Sequence, residues 1–511
     1  MKMNHGLKLS LTLAFFQALF WSTAYGGDEI EKITKFYLVR HAEKASSTGD
    51  PPLRADGVRR SIQLRTVLAD VPLAAVYSTQ TLRTQQTASP ILEASGLQVS
   101  HYPVDGLSVE AWAQSLVNEH RGDQVLIVGH SGTINHNYSI ASIAHALSGD
   151  SVPDISESQY GNLFEVTIHH HKSGTVKRMF KRAWYGNLEM VNRLAVDDSM
   201  HKISNRKDIS AISLVGGILV VGADEDDEIQ TLRFVSEGST QKLLVQQPFS
   251  LGNEGELDIE ALAYDGAFCY VLGSHSRKRK KLDPSDEDSL NKTYSKNLEY
   301  LKADKIKKES KRAHIYRVKV DPTSGESPTF VKDKDIRLRD VFSQHDVLKL
   351  FESLASKENG IDIEGLSTDG ESLFLGFRAP VLRHGFVPVM KIKFDDQSTA
   401  ELRYVQLGGR GIRDITNVQE GFLIVAGPVG DSTLSFQLYH WDGKDCVPGI
   451  RENSQVDQGQ VTLLGTIPTP AGGKAEGIAV LKSSEDHYKV LVAYDGVKNG
   501  GFTIFRAPRP R

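Results

Sequence analysis

The sequence predicts two unlike halves: an α/β three-layer domain, then an all-β domain built as a five- or six-bladed β-propeller. Three observations carry this. Between about residues 33 and 185, short apolar runs alternate with stretches of helical spacing. From about residue 200 onward, short β-rich runs are separated by Gly and Asp turns. A short acidic motif also returns through the second half at intervals near 50 residues or about twice that. A chain of 511 residues has room for two to four domains.

In the first half, Phe36-Tyr37-Leu38-Val39, Ala74-Ala75-Val76-Tyr77, Leu97 to Tyr102 and Val125-Leu126-Ile127-Val128 read as short strands. Leu53 to Leu68 has helical spacing, with Val58, Ile62, Leu64 and Leu68 apolar, and Leu82 to Ala94 reads as a second helix. Strands that alternate with helices make a mostly parallel sheet covered on both faces. Leu163–His170 and Val176–Arg182 form a hairpin across Lys172-Ser173-Gly174. The adjacent His169, His170 and His171 alternate faces there, so they do not converge on one ion.

Ligands of such sheets bind beyond the carboxyl ends of the strands. The chemically capable residues fall there: Arg40-His41 after the first strand, Ser78 to Arg83 after the second, Gly129-His130-Ser131 after the fourth. A neutral imidazole is a nucleophile toward phosphorus when its other nitrogen is held as N–H. Two guanidinium groups fork onto phosphate oxygens, and a second histidine adds a donor to the transferring group.

Arg40-His41-Ala42-Glu43, then Tyr77-Ser78-Thr79…Arg83-Thr84…Gln86-Thr87, then Gly129-His130-Ser131 resemble, in order and spacing, the histidine phosphatase (phosphoglycerate mutase-like) superfamily over residues 33–185. The resemblance implies a phosphohistidine intermediate on His41, a phosphate pocket of Arg40, Arg83 and His130, and no required cofactor. Hydrolysis also needs a proton for the leaving oxygen. Asp105, Glu110 and Glu43 are the candidates for that general acid. Mutase activity is disfavoured, because the short connections leave out the long insertions that shape a mutase pocket.

The second half, 201–511 after a linker at 186–200, carries the motif at Asp208-Ile209-Ser210, Asp258-Ile259-Glu260, Asp362-Ile363-Glu364, Asp414-Ile415-Thr416 and Ala475-Glu476-Gly477. These starts are separated by 50, 104, 52 and 61 residues, a spacing that suits four-stranded blades. The double-length gap holds a charged insertion, 276–312, which opens on Arg277-Lys278-Arg279-Lys280-Lys281 and is offset by the acids after it. If the motifs line a central channel, Asp258, Glu260, Asp362, Glu364 and Glu476 are oxygen ligands of the kind Ca²⁺ takes; the alternative is that they cap turns. His275, Arg378 and Arg413 are candidates for a polar channel mouth. This half resembles an uncharacterised repeat domain of bacterial exported proteins and, more distantly, phytase-like propellers.

At the N-terminus, Lys2 and Lys8 precede an apolar run, Leu9 to Trp21, and small residues Ala24 and Gly26. Residues 1–26 thus read as a secretory signal peptide, with a periplasmic or secreted product and no membrane span after its removal. The formal net charge of −4 gives no whole-chain reason to expect nucleic acid as a partner. The expected partner is a phosphorylated small molecule or phosphoprotein. The two cysteines, Cys269 and Cys446, leave open whether they pair. The function expected is that of an exported phosphatase acting on phosphate esters or phosphoramidates. The alternatives are a phosphate-sensing protein whose propeller recruits a partner, and a Ca²⁺-dependent phytase-like propeller hydrolase.

Overall fold

The computed structural model describes residues 29–102, 108–224, 226–237, 240–252, 257–282, 287–321, 328–430, 432–449 and 458–510. Residues 1–26, expected to be a signal peptide, and Asp105 lie outside the described residues. The chain divides into two compact units, 1–182 and 183–511.

The first unit is built on a six-stranded sheet. Its strands are β1 (Ile30–Arg40), β2 (Leu73–Ser78), β3 (Val99–His101), β4 (Gln124–Gly129), β5 (Asn162–His171) and β6 (Val176–Trp184), in spatial order β3-β2-β4-β1-β5-β6. The strands β1 to β4 run parallel, and β5 runs antiparallel to β1. Side chains alternate along a strand. Phe36 and Leu38 of β1 therefore join Val125 and Ile127 of β4 in a core with Trp112, Leu116, Ile140 and Ile143. Those partners belong to α3 (Val109–Glu119) and α4 (Ile140–Ser148), which pack on one another. On the other face α1 (Ala55–Val67) packs on α2 (Leu82–Ser95), and α2 rests on β2 and β4.

The apolar stripe expected on α1 is buried only in its second half. Leu64 and Leu68 are buried, but Val58 and Ile62 are about half exposed, and Gly57 and Ser61 are buried in their stead. The cause is local. A Cβ at Gly57 would sit 2.3 Å from the carbonyl oxygen of Glu43, so α1 turns its small residues to the loop after β1.

The second unit is a five-bladed β-propeller. Each blade starts on an inner strand: Ile209–Val215, Ile259–Tyr264, Asp362–Thr368, Gly411–Val418 and Lys474–Ser483. Each inner strand packs against the next, and the last against the first. Their ends line a central cavity of about 140 Å³, to which Ser213, Ala263, Ser367, Thr416 and Ala479 contribute one position per blade. The count is five. The long interval between the second and third motifs holds no extra blade, only the outer strands of the second blade, the 276–312 insertion and the segment around Arg339–Gln344.

The expected linker is part of the propeller. β7 (Glu189–Arg193) pairs antiparallel with Thr503–Pro508 as the outer strand of the fifth blade. β8 (Ala195–Asp197) pairs parallel with Thr240–Ser250 as the outer strand of the first. Consecutive strands thus join the first and last blades and close the ring. All five residues of β7 are exposed, so its sequence lacks the alternation that marks a half-buried strand. The insertion contains short helices and a two-stranded ribbon pairing Arg277 with Lys308 and Lys278 with Lys307. Cys269 and Cys446 are both buried and free.

Candidate active site and the charged end of the propeller

The parallel strands deliver their carboxyl ends to one edge of the first unit. β1 ends on Arg40 in register with Gly129, the last residue of β4. The His41 amide donates to the Gly129 carbonyl at 2.9 Å, which fixes the nucleophile loop to the strand bearing His130. Gly129 admits no side chain: a Cβ there would lie 2.4 Å from the Tyr102 hydroxyl and 2.9 Å from Ile140 Cδ1.

His41 is 2% exposed and Arg40 is fully buried. His41 Nδ1 lies 2.8 Å from the Ala42 carbonyl oxygen. A carbonyl only accepts, so Nδ1 carries the hydrogen and Nε2 keeps its lone pair. Burial lowers the His41 pKa to about 3, with the charges of Arg40, His130 and Arg83 acting in the same direction. The ring therefore stays neutral and nucleophilic at physiological pH. His130 packs edge-on to it, with ring centroids 5.4 Å apart. Its own pKa is lowered to about 4, first by burial and then by Arg83 and Arg40.

The motif residues around Arg83 support this arrangement. The Thr87 hydroxyl accepts from the Ala42 amide at 2.9 Å and donates to the Arg83 carbonyl at 2.8 Å. Gln86 accepts from the Leu53 amide. Thr79 Oγ1 lies 3.0 Å from His130 Nε2 and 3.0 Å from Thr84 Oγ1. Asp50 accepts from the Leu82 amide at the start of α2 and from Arg83 Nη1 at 3.0 Å. Among the described residues, Arg40 Nε and Arg83 Nε are buried N–H groups without a hydrogen-bond partner. Unmet buried donors of this kind are costly unless an acceptor arrives.

The structure thus brings Arg40, His41, Arg83 and His130 together. Of the general-acid candidates, it places Glu43 and Glu110 elsewhere. Glu43 forms a bidentate ion pair with Arg60, at 2.7 to 3.0 Å. Glu110 is exposed in the first turn of α3, where its charge acts on Tyr138. A carboxylate that sequence reasoning passed over does reach the site. Glu157 Oε2 lies 2.9 Å from Arg40 Nη2 and 3.7 Å from Lys44 Nζ, and Ser131 donates to Glu157 Oε1 at 2.5 Å. The same segment supplies the Ser156 and Gln159 carbonyls to Arg40 Nη1, and Tyr160 stacks on the guanidinium with Arg40 Cζ 4.1 Å from its ring centre. The signal was the antiparallel pairing of β5 with β1. Leu163 stands opposite Val39, so the polar run just before β5 necessarily arrives beside Arg40 and His41.

The motif acids of the propeller also converge, but on arginines. Arg378 pairs with Asp362 and Glu364 at 2.5 Å each. Arg413 bridges Glu364 of the third blade, at 2.9 Å, and Glu476 of the fifth. Arg312 pairs with Asp258 at 2.8 Å, and Ser274 also donates to Asp258. Asp414 accepts from the Ile478 amide of the next blade at 2.8 Å. Glu260, partly exposed beside this network, has its carboxyl pKa raised well above normal, first by burial and then by Glu364 and Asp258. Burial likewise raises Asp258 to about 8 and Asp362 to about 6. Among the described residues, no group of three or more His, Cys, Asp or Glu side chains is arranged to hold a metal ion. The Ca²⁺ expectation meets carboxylates already bound to guanidinium groups, of which Arg413 links neighbouring blades. His275 is not in this network: Nδ1 lies 2.7 Å from the Gly273 carbonyl oxygen and its ring packs on Phe342.

Comparison with known proteins agrees with this division. Residues 36–104 match the histidine phosphatase superfamily (branch 1), and residues 208–501 match the family described as protein of unknown function (DUF3616). No curated protein matches the chain. Similar solved structures include mycobacterial hydrolase 1, at 15% identity over 29% of this chain and 97% of that one, with a TM-score of 0.23. A mycobacterial glucosyl-3-phosphoglycerate phosphatase matches at 13% identity over 29% and 98%, with a TM-score of 0.22. A phosphoglycerate mutase from Bacillus anthracis str. Sterne matches at 14% over 29% and 92%, with a TM-score of 0.20. With its family match spanning more than half of the sequence, the chain belongs to the DUF3616 family, and residues 36–104 ahead of that region match the histidine phosphatase superfamily.

Proposed function

We propose that the first unit hydrolyses phosphate monoesters or phosphoramidates, of a small molecule or a phosphoprotein, through a phosphohistidine on His41. The observation that carries this reading is the state of His41: buried, neutral, and with Nδ1 held by the Ala42 carbonyl so that Nε2 presents its lone pair. Phosphoryl transfer needs an in-line nucleophile and positive charge around the equatorial oxygens. Arg40, Arg83 and His130 supply donors around that nucleophile. Water then attacks the phosphohistidine and releases phosphate. Phosphate release from a chromogenic monoester by the full chain tests this. His41→Ala is expected to abolish it, and undiminished activity in that variant sinks the reading.

Export to the periplasm or medium is part of the same proposal. Its support is the basic, apolar and small-residue order of residues 1–26. N-terminal sequencing of the mature protein is expected to begin at Gly27. Retention of Met1 on the exported or cytoplasmic product contradicts it.

A further inference from the structure

We propose that Glu157 is the general acid of the phosphatase site. The inference rests on the phosphohistidine reading above and adds the proton donor that reading lacks. Three observations point to it. Glu157 is the carboxylate that, among the described residues, contacts Arg40. Of the other described acids, Glu43 is bound away from the site to Arg60, and Asp50, though it reaches Arg83, is also held by the Leu82 amide at the start of α2. The third is its position. In-line displacement expels the leaving oxygen on the side of phosphorus away from His41. His41 is buried, whereas the Glu157 side chain is 73% exposed while its carboxylate holds Arg40, and we accordingly put Glu157 on the leaving-group side.

In the free site Glu157 is an anion held by Ser131, Arg40 and Lys44. A phosphate ester entering the pocket competes for Arg40 Nη2. Two anions brought that close share a proton rather than both staying ionised. A monoanionic ester brings that proton, and the displaced Glu157, still tethered to Ser131, receives it. His41 Nε2 then forms the N–P bond as the bond from phosphorus to the ester oxygen breaks. The electron pair stays on that oxygen, which takes the proton from Glu157. In the second step the Glu157 carboxylate takes a proton from water, water oxygen bonds to phosphorus, and the N–P bond breaks to return the His41 lone pair.

A general acid matters in proportion to how poor the leaving group is. The test compares kcat/KM of the full chain for p-nitrophenyl phosphate and for glycerol 2-phosphate in wild type, Glu157→Gln, Glu43→Gln and His41→Ala. Glu157→Gln is expected to lower the alkyl ester by roughly 10²- to 10⁴-fold and the aryl ester by less than about tenfold. Glu43→Gln is expected to leave the ratio between the two esters unchanged. Equal losses on both esters in Glu157→Gln, or no loss on either, overturn the proposal while a dead His41→Ala leaves the phosphohistidine reading standing. Activity retained in His41→Ala overturns that reading itself.

Discussion

The chain buries two ionic centres, and they are opposite in composition. In the first unit, Arg40, Arg83, His41 and His130 gather with Glu157 and Asp50 as the only carboxylates reaching the arginines among the described residues. In the propeller, Asp258, Glu260, Asp362, Glu364 and Glu476 outnumber Arg312, Arg378 and Arg413. Both centres keep buried guanidinium N–H groups unmet: Arg40 Nε and Arg83 Nε in the first, Arg378 Nε and Arg413 Nε in the second. The difference lies in the carboxylates. Those of the first, Glu157 and Asp50, are more than half exposed, whereas Asp362, Glu364 and Glu476 of the second are buried and tied to guanidinium groups from other strands and, through Arg413, other blades. The first is the candidate reaction site; the second is a set of cross-links.

The comparison breaks most visibly at Arg413. Removing one partner of a buried ion network leaves uncompensated charge, at a cost of about 3–5 kcal/mol. Arg413→Met should lower the stability of the propeller by that amount while leaving ester hydrolysis by the first unit intact. Calorimetry together with a chromogenic assay checks both parts. An unchanged propeller transition would show that the network is not holding the blades.

Acid and base should act on the two centres in opposite senses. His41 and His130 have pKa values of about 3 and 4 in the folded protein, against about 6.5 unfolded. Between those limits the unfolded chain binds more protons, so their contribution to stability is complete above pH 6.5 and is lost as pH falls. Asp258 and Asp362 are raised to about 8 and about 6, against about 3.9 unfolded. Their contribution is complete below about pH 4 and is lost progressively as pH rises from there to about 8. Unfolding followed by a signal from each unit should show the first weakening as pH falls below about 6.5 and the propeller weakening as pH rises above about 4. Parallel trends contradict the contrast.

The smallest effect is expected at Glu43. Its bidentate pair with Arg60 braces the nucleophile loop against α1, so Glu43→Gln should cost roughly 1–3 kcal/mol in stability. Denaturant unfolding of the variant measures this, and an effect outside the first unit would contradict the bracing role.

Much of the candidate site was legible because parallel buried strands read as plain apolar runs, and the residues just past them announce themselves. Arg40, His41 and His130 each follow such a run, and Arg83 lies in the first turn of α2, soon after β2. Glu157 was illegible for a topological reason. It sits in a polar run before a strand, and only the antiparallel pairing of β5 with β1 brings it to Arg40. Asp105 was nominated by family position, and its segment lies outside the described residues. In the propeller the motif located the start of every inner strand. It did not reveal the closure by β7 and β8, because β7 has every residue exposed and carries no apolar alternation, and β8 is only three residues long. Nor did it distinguish acids that ligate a cation from acids that bind arginine, since Arg312, Arg378 and Arg413 are remote in sequence from most of the carboxylates they meet.

The central claim is a covalent bond between phosphorus and His41. Rapid quenching of the full chain during turnover of a labelled phosphate ester, followed by peptide mass spectrometry, tests it directly. The account predicts an acid-labile, base-stable phosphoryl group on the peptide containing His41, absent from His41→Ala. A label on any other residue, or full turnover with no phosphorylated His41 at any time, would contradict it.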